Sequence, residues 1–163
     1  MIKSIPTKYK GIIFRSLLEA RYAKTLDSYK IRWRYEVEGY EYDGIRYLPD
    51  FVLTDMNVLL EVKGPRIPGI EKPTNLRKLI ESGSIAQINW WNPEVLILVG
   101  DANGVVTIAG ISEKAPLVKC QHCKRYFFLY ESRSYECRLC GYSDGDHHLE
   151  EWITQLVLPQ GLT

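Results

Sequence analysis

Two groups of residues in this 163-residue chain have the types and spacing that chemistry needs. The first is Asp50, in Tyr47-Leu-Pro-Asp-Phe-Val-Leu, together with Glu61 and Lys63 in Val58-Leu-Leu-Glu-Val-Lys-Gly. Side chains alternate along a strand, so Glu61 and Lys63 project from one face while Leu60 and Val62 project from the other. If the two segments pair as an antiparallel hairpin, with Thr54-Asp55-Met56 as the turn, strand twist brings Asp50 near Glu61. Carboxylates converging at about 4–5 Å repel each other unless a cation stands between them, and hard oxygen ligands favour Mg²⁺ or Mn²⁺. A lysine beside such an ion can orient or help deprotonate an attacking water and can stabilise charge on a phosphate. Pro49 stiffens the approach to Asp50, and Gly64 lets backbone or substrate come close. The competing expectation is ordinary surface chemistry. Asp50 would cap a turn, Glu61 and Lys63 would form a solvated pair worth about 0.5 kcal/mol, and Glu19 would pair with Arg15 or Arg21 on its own helix.

The second group holds all four cysteines, as Cys120-x2-Cys123 and Cys137-x2-Cys140 with thirteen residues between the pairs. Each pair can turn two thiolates toward one tetrahedral Zn²⁺, and four thiolates close the coordination sphere, which makes the ion structural. A segment of about 30 residues has little core of its own, so the ion supplies most of its folding free energy. Two disulfides are disfavoured in a reducing compartment, and a redox Cys-x2-Cys needs no second copy. His122, between ligands, is expected to point outward, and His147 and His148 to be surface residues. Lys119, Lys124, Arg125, Arg133 and Arg138 alternate with Tyr126, Phe127, Phe128, Tyr130 and Tyr135, a mixture that either grips a nucleic-acid backbone and stacks on bases or builds the module's small core.

The elements that must position these groups can be read from periodicity. Residues 11–29 repeat apolar side chains as an amphipathic helix does, at Phe14, Leu17, Leu18, Tyr22, Leu26 and Tyr29. Residues 31–37 alternate as a strand, and Gly39 and Gly44 divide the next segment into short hairpin pieces. Residues 46–53 and 57–63 are two further strands, 74–82 a helix capped by Thr74 or Asn75, 95–99 a doubly buried strand and 105–109 a last strand. Trp90 and Trp91 are read as packing residues. The order α, β, β, β, α, β, β predicts an α/β fold, a mixed sheet flanked by helices. The chain divides into a core over residues 1–112, the cysteine module over 117–145, and a C-terminal helix and tail over 146–163.

The Pro49-Asp50 pair and the later Glu61-Val62-Lys63, behind a helix carrying Glu19, resemble the signature of the PD-(D/E)XK nuclease superfamily, and their order and spacing are similar to those of phage junction-resolving endonucleases. The resemblance covers residues 11–110. It implies a restriction-endonuclease-like core and a Mg²⁺-dependent endodeoxyribonuclease leaving a 5′-phosphate and a 3′-hydroxyl. Glu19, Asp50, Glu61 and the Val62 carbonyl would be metal ligands, and Lys63 would assist the water. The cysteine module looks like a zinc ribbon, with residues 125–130 and 134–136 as its hairpin. Small size and a basic, compact core also look like phage-encoded nucleases. The alternative from another class is a non-catalytic DNA-binding or adaptor protein whose ribbon makes the contacts.

Composition agrees with a folded chain, since 45% hydrophobic and 25% charged residues exclude disordered, collagen-like and mucin-like classes. The net charge of +1 hides an asymmetry: residues 1–35 hold nine Lys or Arg against two acids, a net +7, leaving −6 for the remainder. Lys3, Lys8, Lys10, Arg15, Arg21 and Lys24 could track a DNA backbone or form a solvated face. No stretch approaches the about 18 apolar residues of a membrane span, and the start of the chain lacks a secretory apolar run, so a cytoplasmic protein of a bacterial or phage-infected cell is expected, with DNA as partner and no membrane. Junction cleavage would call for a homodimer, and the ribbon is a second surface for a protein partner.

Overall fold

The computed structural model describes residues 4–36, 40–42, 45–63, 96–110, 113–129 and 135–162, with 40–42, 45–47 and 96 as backbone. The chain is mixed α/β and rich in sheet. It opens with a hairpin of β1 (Thr7–Tyr9) and β2 (Ile12–Phe14), in which Tyr9 pairs with Ile12 around Lys10 (φ 51°) and Gly11 (φ 77°). Two consecutive left-handed residues match the twist of a two-residue hairpin turn, and Gly11 adopts one of them without strain. Helix α1 (Leu17–Ser28) therefore begins six residues later than the apolar repeat from residue 11 predicts. Its start is set by Ser16, whose Oγ accepts from the Glu19 backbone N–H at 3.1 Å and donates to Glu19 Oε2 at 2.7 Å. Ser-x-x-Glu is a helix-opening pattern, and it overrides a periodicity that merely continues through Phe14.

Five strands form the main sheet: β3 (Arg34–Tyr35), β6 (Phe51–Leu53), β7 (Val58–Val62), β8 (Leu96–Gly100) and β9 (Val106–Ile108), in the order β3-β6-β7-β8-β9. Only the β7–β8 neighbours run parallel. Between β3 and β6 lies a separate hairpin of β4 (Tyr40–Tyr42) and β5 (Ile45–Tyr47). The strand expected over 46–53 is thus two strands, and Pro49, which has no N–H to give a ladder, stands in the break. The hairpin expected around Thr54-Asp55-Met56 is present as β6 and β7, with Leu53 opposite Val58. The helix expected over 74–82, the start of the strand at Val95, and Trp90 and Trp91 lie outside the described residues.

The cysteine region builds a second sheet in the order β11-β10-β12, from β10 (Leu117–Cys120), β11 (Tyr126–Phe128) and β12 (Leu149–Ile153). Two expectations fail here. Residues 149–153 are a strand, not part of a C-terminal helix, because their backbone completes the free edge of β10. The small sheet accordingly runs to Ile153. Tyr135 and Glu136 carry no strand, since β11 takes β10 as its partner.

One buried cluster spans both sheets. Ala20, Tyr22, Ala23 and Leu26 of α1 share it with Phe51, Leu60 and Leu98 of the main sheet and with Leu117, Phe127 and Leu149 of the small one. Gly100 admits the Tyr22 ring: a Cβ there would lie 2.7 Å from it, and the Tyr22 hydroxyl donates to the Asp101 carbonyl at 2.7 Å. That contact ties α1 to the end of β8.

Candidate metal centres

Four acids gather where α1 begins and β3 and β6 meet the end of β7. Tyr35 pairs with Phe51 and Phe51 with Leu60, so one residue further the register aligns Glu36, Asp50 and Glu61 across three strands. Glu19, fixed by the Ser16 cap, reaches the same place from α1, and its Oε1 accepts from the Tyr35 hydroxyl at 3.0 Å. Exposure is 6% for Glu19, 4% for Asp50 and 7% for Glu61, so these are not solvated surface carboxylates.

The oxygens of Glu19, Glu36 and Asp50 lie within 4.8 Å of one another, a spacing that one cation can bridge. Glu61 stands outside that trio. Its Oε2 faces the Asp50 backbone N–H at 3.4 Å, and its Oε1 is 2.9 Å from Lys63 Nζ. Glu61 and Lys63 therefore share a face as expected, but their side chains are only 9% and 19% exposed, so the pair is not a solvated one. Val62, between them, donates its backbone N–H to Asp50 Oδ2 at 2.7 Å.

Among the described residues, Arg15 and Lys63 reach three of these carboxylates. Arg15 Nη2 lies 2.5 Å from Glu36 Oε1 and 3.8 Å from Asp50 Oδ1, and Lys63 holds Glu61. Glu19 pairs with neither Arg15 nor Arg21 as the surface alternative required; Arg21 donates to the Gln160 carbonyl at 3.0 Å. Asp50 lies between Glu36 and Glu61 in this register. Burial, then the neighbouring Glu61 and Glu19 carboxylates, push it up to about 9 against the pull of the Val62 N–H. Near neutral pH Asp50 keeps its proton unless a cation arrives to replace it.

Glu36 is the acid that sequence reasoning missed. The alternation of residues 31–37 held the signal, but Glu36 matters only because β3 pairs with β6 and sets it opposite Asp50. Its backbone is left-handed at φ 49°, and its N–H donates to the Asp50 carbonyl at 3.0 Å.

The four cysteine sulfurs also lie within 4.8 Å of one another, with Cys120 Sγ 3.8 Å from Cys140 Sγ and Cys123 Sγ 3.7 Å from Cys137 Sγ. Sulfurs about 2.3 Å from one tetrahedral ion are roughly 3.8 Å apart, so the cluster could hold zinc. All four are free thiols, which sets aside the disulfide alternative. The two turns repeat each other. The Lys124 N–H donates to the Cys120 carbonyl at 2.8 Å, and the Gly141 N–H to the Cys137 carbonyl at 2.9 Å. Cys120 N–H then bonds the Arg125 carbonyl as Cys137 N–H bonds that of Tyr142.

Burial pushes Cys137 up to about 12, while the Tyr142 N–H leads the groups that bring exposed Cys140 down to about 6. Four thiols so close cannot all ionise without a cation, and metal uptake must release protons. His122 is exposed, stacks on Tyr142 and approaches Cys140 Sγ at 3.8 Å. His147 is exposed as expected, but His148 is not: it is 2% exposed, and its Nδ1 meets Asp144 Oδ1 at 2.5 Å. Its backbone N–H also donates to Asp144 Oδ1 at 2.9 Å, its carbonyl accepts from the Gln121 N–H at 2.7 Å, and the Tyr142 ring meets its ring edge-on.

Compared with known proteins, the chain matches no family model, no curated protein and no solved structure. Among the described residues no helix is long and apolar enough to cross a membrane.

Proposed function

We propose that the chain is a Mg²⁺-dependent endodeoxyribonuclease of the PD-(D/E)XK type carrying a structural zinc ribbon. The observation that carries this reading is buried Glu19, Asp50 and Glu61 with half-buried Glu36 at one end of the sheet, and Lys63 Nζ 2.9 Å from Glu61. Such a site fits a divalent ion, because burial and the neighbouring Glu61 and Glu19 carboxylates push Asp50 up to about 9, and a bound cation would offset both. Glu19 and Asp50 would hold it together with Glu36, whose oxygen lies within 4.8 Å of theirs, and Glu61 and the Val62 carbonyl are the further ligands that the resemblance implies. When bound, the ion polarises a phosphate oxygen and lowers the pKa of a water.

The chain's own residues do the rest. Lys63, pinned by Glu61, positions the water and stabilises charge developing on the phosphate. Val62 N–H and the Asp50 N–H fix the two central carboxylates relative to each other. In the ribbon Cys120, Cys123, Cys137 and Cys140 would close the sphere of one Zn²⁺ and leave no open position for chemistry.

The test uses supercoiled plasmid, branched DNA and single strands, with and without Mg²⁺, beside Asp50→Ala and Lys63→Ala. We expect Mg²⁺-dependent cleavage of at least one substrate, reduced at least about a hundredfold in each variant. Wild-type protein that binds DNA but leaves every substrate intact would sink the enzyme reading in favour of a non-catalytic DNA-binding protein.

A further inference from the structure

The end of the molecule opposite the acids carries a cavity of about 350 Å³ between the C-terminus of α1, the β6–β7 turn and the first cysteine turn. Lys30, Lys119, Lys124 and Arg125 line it, with Asp55 and Tyr126. Asp55 is already taken: Arg32 Nε donates to its Oδ2 at 2.8 Å and Arg125 Nη2 to the same oxygen at 3.0 Å. No carboxylate pairs with Lys30, Lys119 or Lys124 among the described residues. Glu150, opposite Lys119 in the small sheet, accepts from Gln121 instead. Lys119 Nζ stands 5.8 Å from the centre of the Tyr126 ring, and Tyr29 meets that ring edge-on, so an aromatic wall backs the lysines.

Two of these lysines occupy backbone positions that favour glycine. Lys30 (φ 58°) comes after α1 in a motif where its N–H donates to the Asp27 carbonyl and the Ile31 N–H to that of Leu26, both at 2.9 Å. This left-handed position after a helix is most often glycine. Lys124 (φ 63°) stands in the first cysteine turn where Gly141 (φ 79°) stands in the second. A long cationic side chain at both places, facing one cavity, costs backbone energy that neither turn requires.

We infer that this cavity is an anchor for the phosphodiester backbone of DNA, held by Lys30, Lys119 and Lys124 and apart from the acidic centre. Ten residues of helix separate Glu19 from Tyr29, roughly 15 Å, so a single DNA molecule can reach both places. The inference rests on the nuclease reading only for the identity of the polymer.

Titration of a fluorescent 20-mer duplex by anisotropy over a salt series, in magnesium-free buffer, tests it without cleavage. Lys30→Gly/Lys124→Gly is expected to melt at or above the wild-type temperature and keep its zinc, yet bind about tenfold more weakly, with the log-log salt slope reduced in magnitude by about two. Lys119→Ala, which leaves both turns untouched, is expected to reduce the slope by about one, and Lys30→Arg/Lys124→Arg to retain it. Lys114→Ala, an exposed lysine elsewhere, is the control.

Affinity and slope unchanged in the glycine variant would overturn the anchor, as would equal losses in Lys114→Ala, which mean diffuse charge only. A rise in wild-type melting temperature with millimolar inorganic phosphate, lost in a glycine variant whose duplex affinity and salt slope are unchanged, would assign the cavity to free phosphate and overturn it too. Duplex binding that depends on these lysines, in a wild type that never cuts, keeps the anchor and removes the nuclease; cutting with an unaltered slope does the reverse.

Discussion

Asp50 shows what the acidic centre costs the fold. Its ordinary carboxylate pKa is 3.8, and in the folded chain burial together with Glu61 and Glu19 pushes it up to about 9. The native state thus holds a proton that the unfolded chain releases above about pH 4, and stability from this group, full below pH 4, is lost as pH rises through 9. Asp50→Asn keeps an oxygen for the Val62 N–H and never ionises. In magnesium-free buffer it is expected to be more stable than wild type by about 2–4 kcal/mol at pH 7, with the gap closing toward pH 4, as read by urea melts across pH. Mg²⁺ should raise the melting temperature of wild type and not of this variant. Equal stability of the two proteins at every pH would mean that Asp50 is not held protonated. Asp50, Glu61 and Lys63 were legible because a proline, an acid and a Glu-x-Lys strand end are local features. Glu36 was not, since nothing near it in the chain shows that it faces Asp50.

At the scale of the elements, turns decided more than periodicity. Ser16 starts α1, Gly11 turns the first hairpin, and Pro49 splits a run that alternates as one strand. The small sheet depends on its cysteine turns in a different way. Leu139 and Cys140 each donate a backbone N–H to Cys137 Sγ at 3.4 Å, an arrangement that stabilises a thiolate and leaves a neutral thiol poorly matched. Native mass spectrometry is expected to find one zinc per chain, and none in Cys137→Ser, with a melting temperature lower by roughly ten degrees or more, because metal-binding free energy becomes folding free energy. Zinc affinity should fall steeply with acid, as protons compete for the thiolates. A full zinc complement in Cys137→Ser would exclude it as a ligand.

Across the whole molecule, the last residues act as a strap. β12 closes the small sheet, Gln155 forms a bridge with Val105, and the Leu156 N–H donates to the Gly104 carbonyl at 2.7 Å. Leu156 is 4% exposed, and the next residues give carbonyls to α1, Val157 to Thr25 and Gln160 to Arg21. The strap holds the helix that carries Glu19 against the sheet that carries Asp50. Removing residues 154–163 is expected to destabilise the chain by about 2–4 kcal/mol through the loss of Leu156 alone. Thermal melts of the truncated protein measure this, and an unchanged melting temperature would show the strap to be incidental. The same packing makes the cysteine module part of one core, so loss of zinc is expected to weaken the whole chain and not the ribbon alone.

The sequence by itself determined the chemistry available: two acids and a lysine with strand spacing, a third acid on a helix, four cysteines in two tight turns, and the mixed α/β class. These are set by a residue and its near neighbours, through side-chain type, backbone preference and alternation. Tertiary structure alone decided that Glu36 joins the acids, that His148 is buried, that residues 149–153 are a strand and that Lys30, just beyond α1, shares one cavity with lysines of the cysteine region. Each of these depends on which distant segment satisfies a backbone edge or covers an apolar face, and that choice is made by the free energy of the whole assembled core.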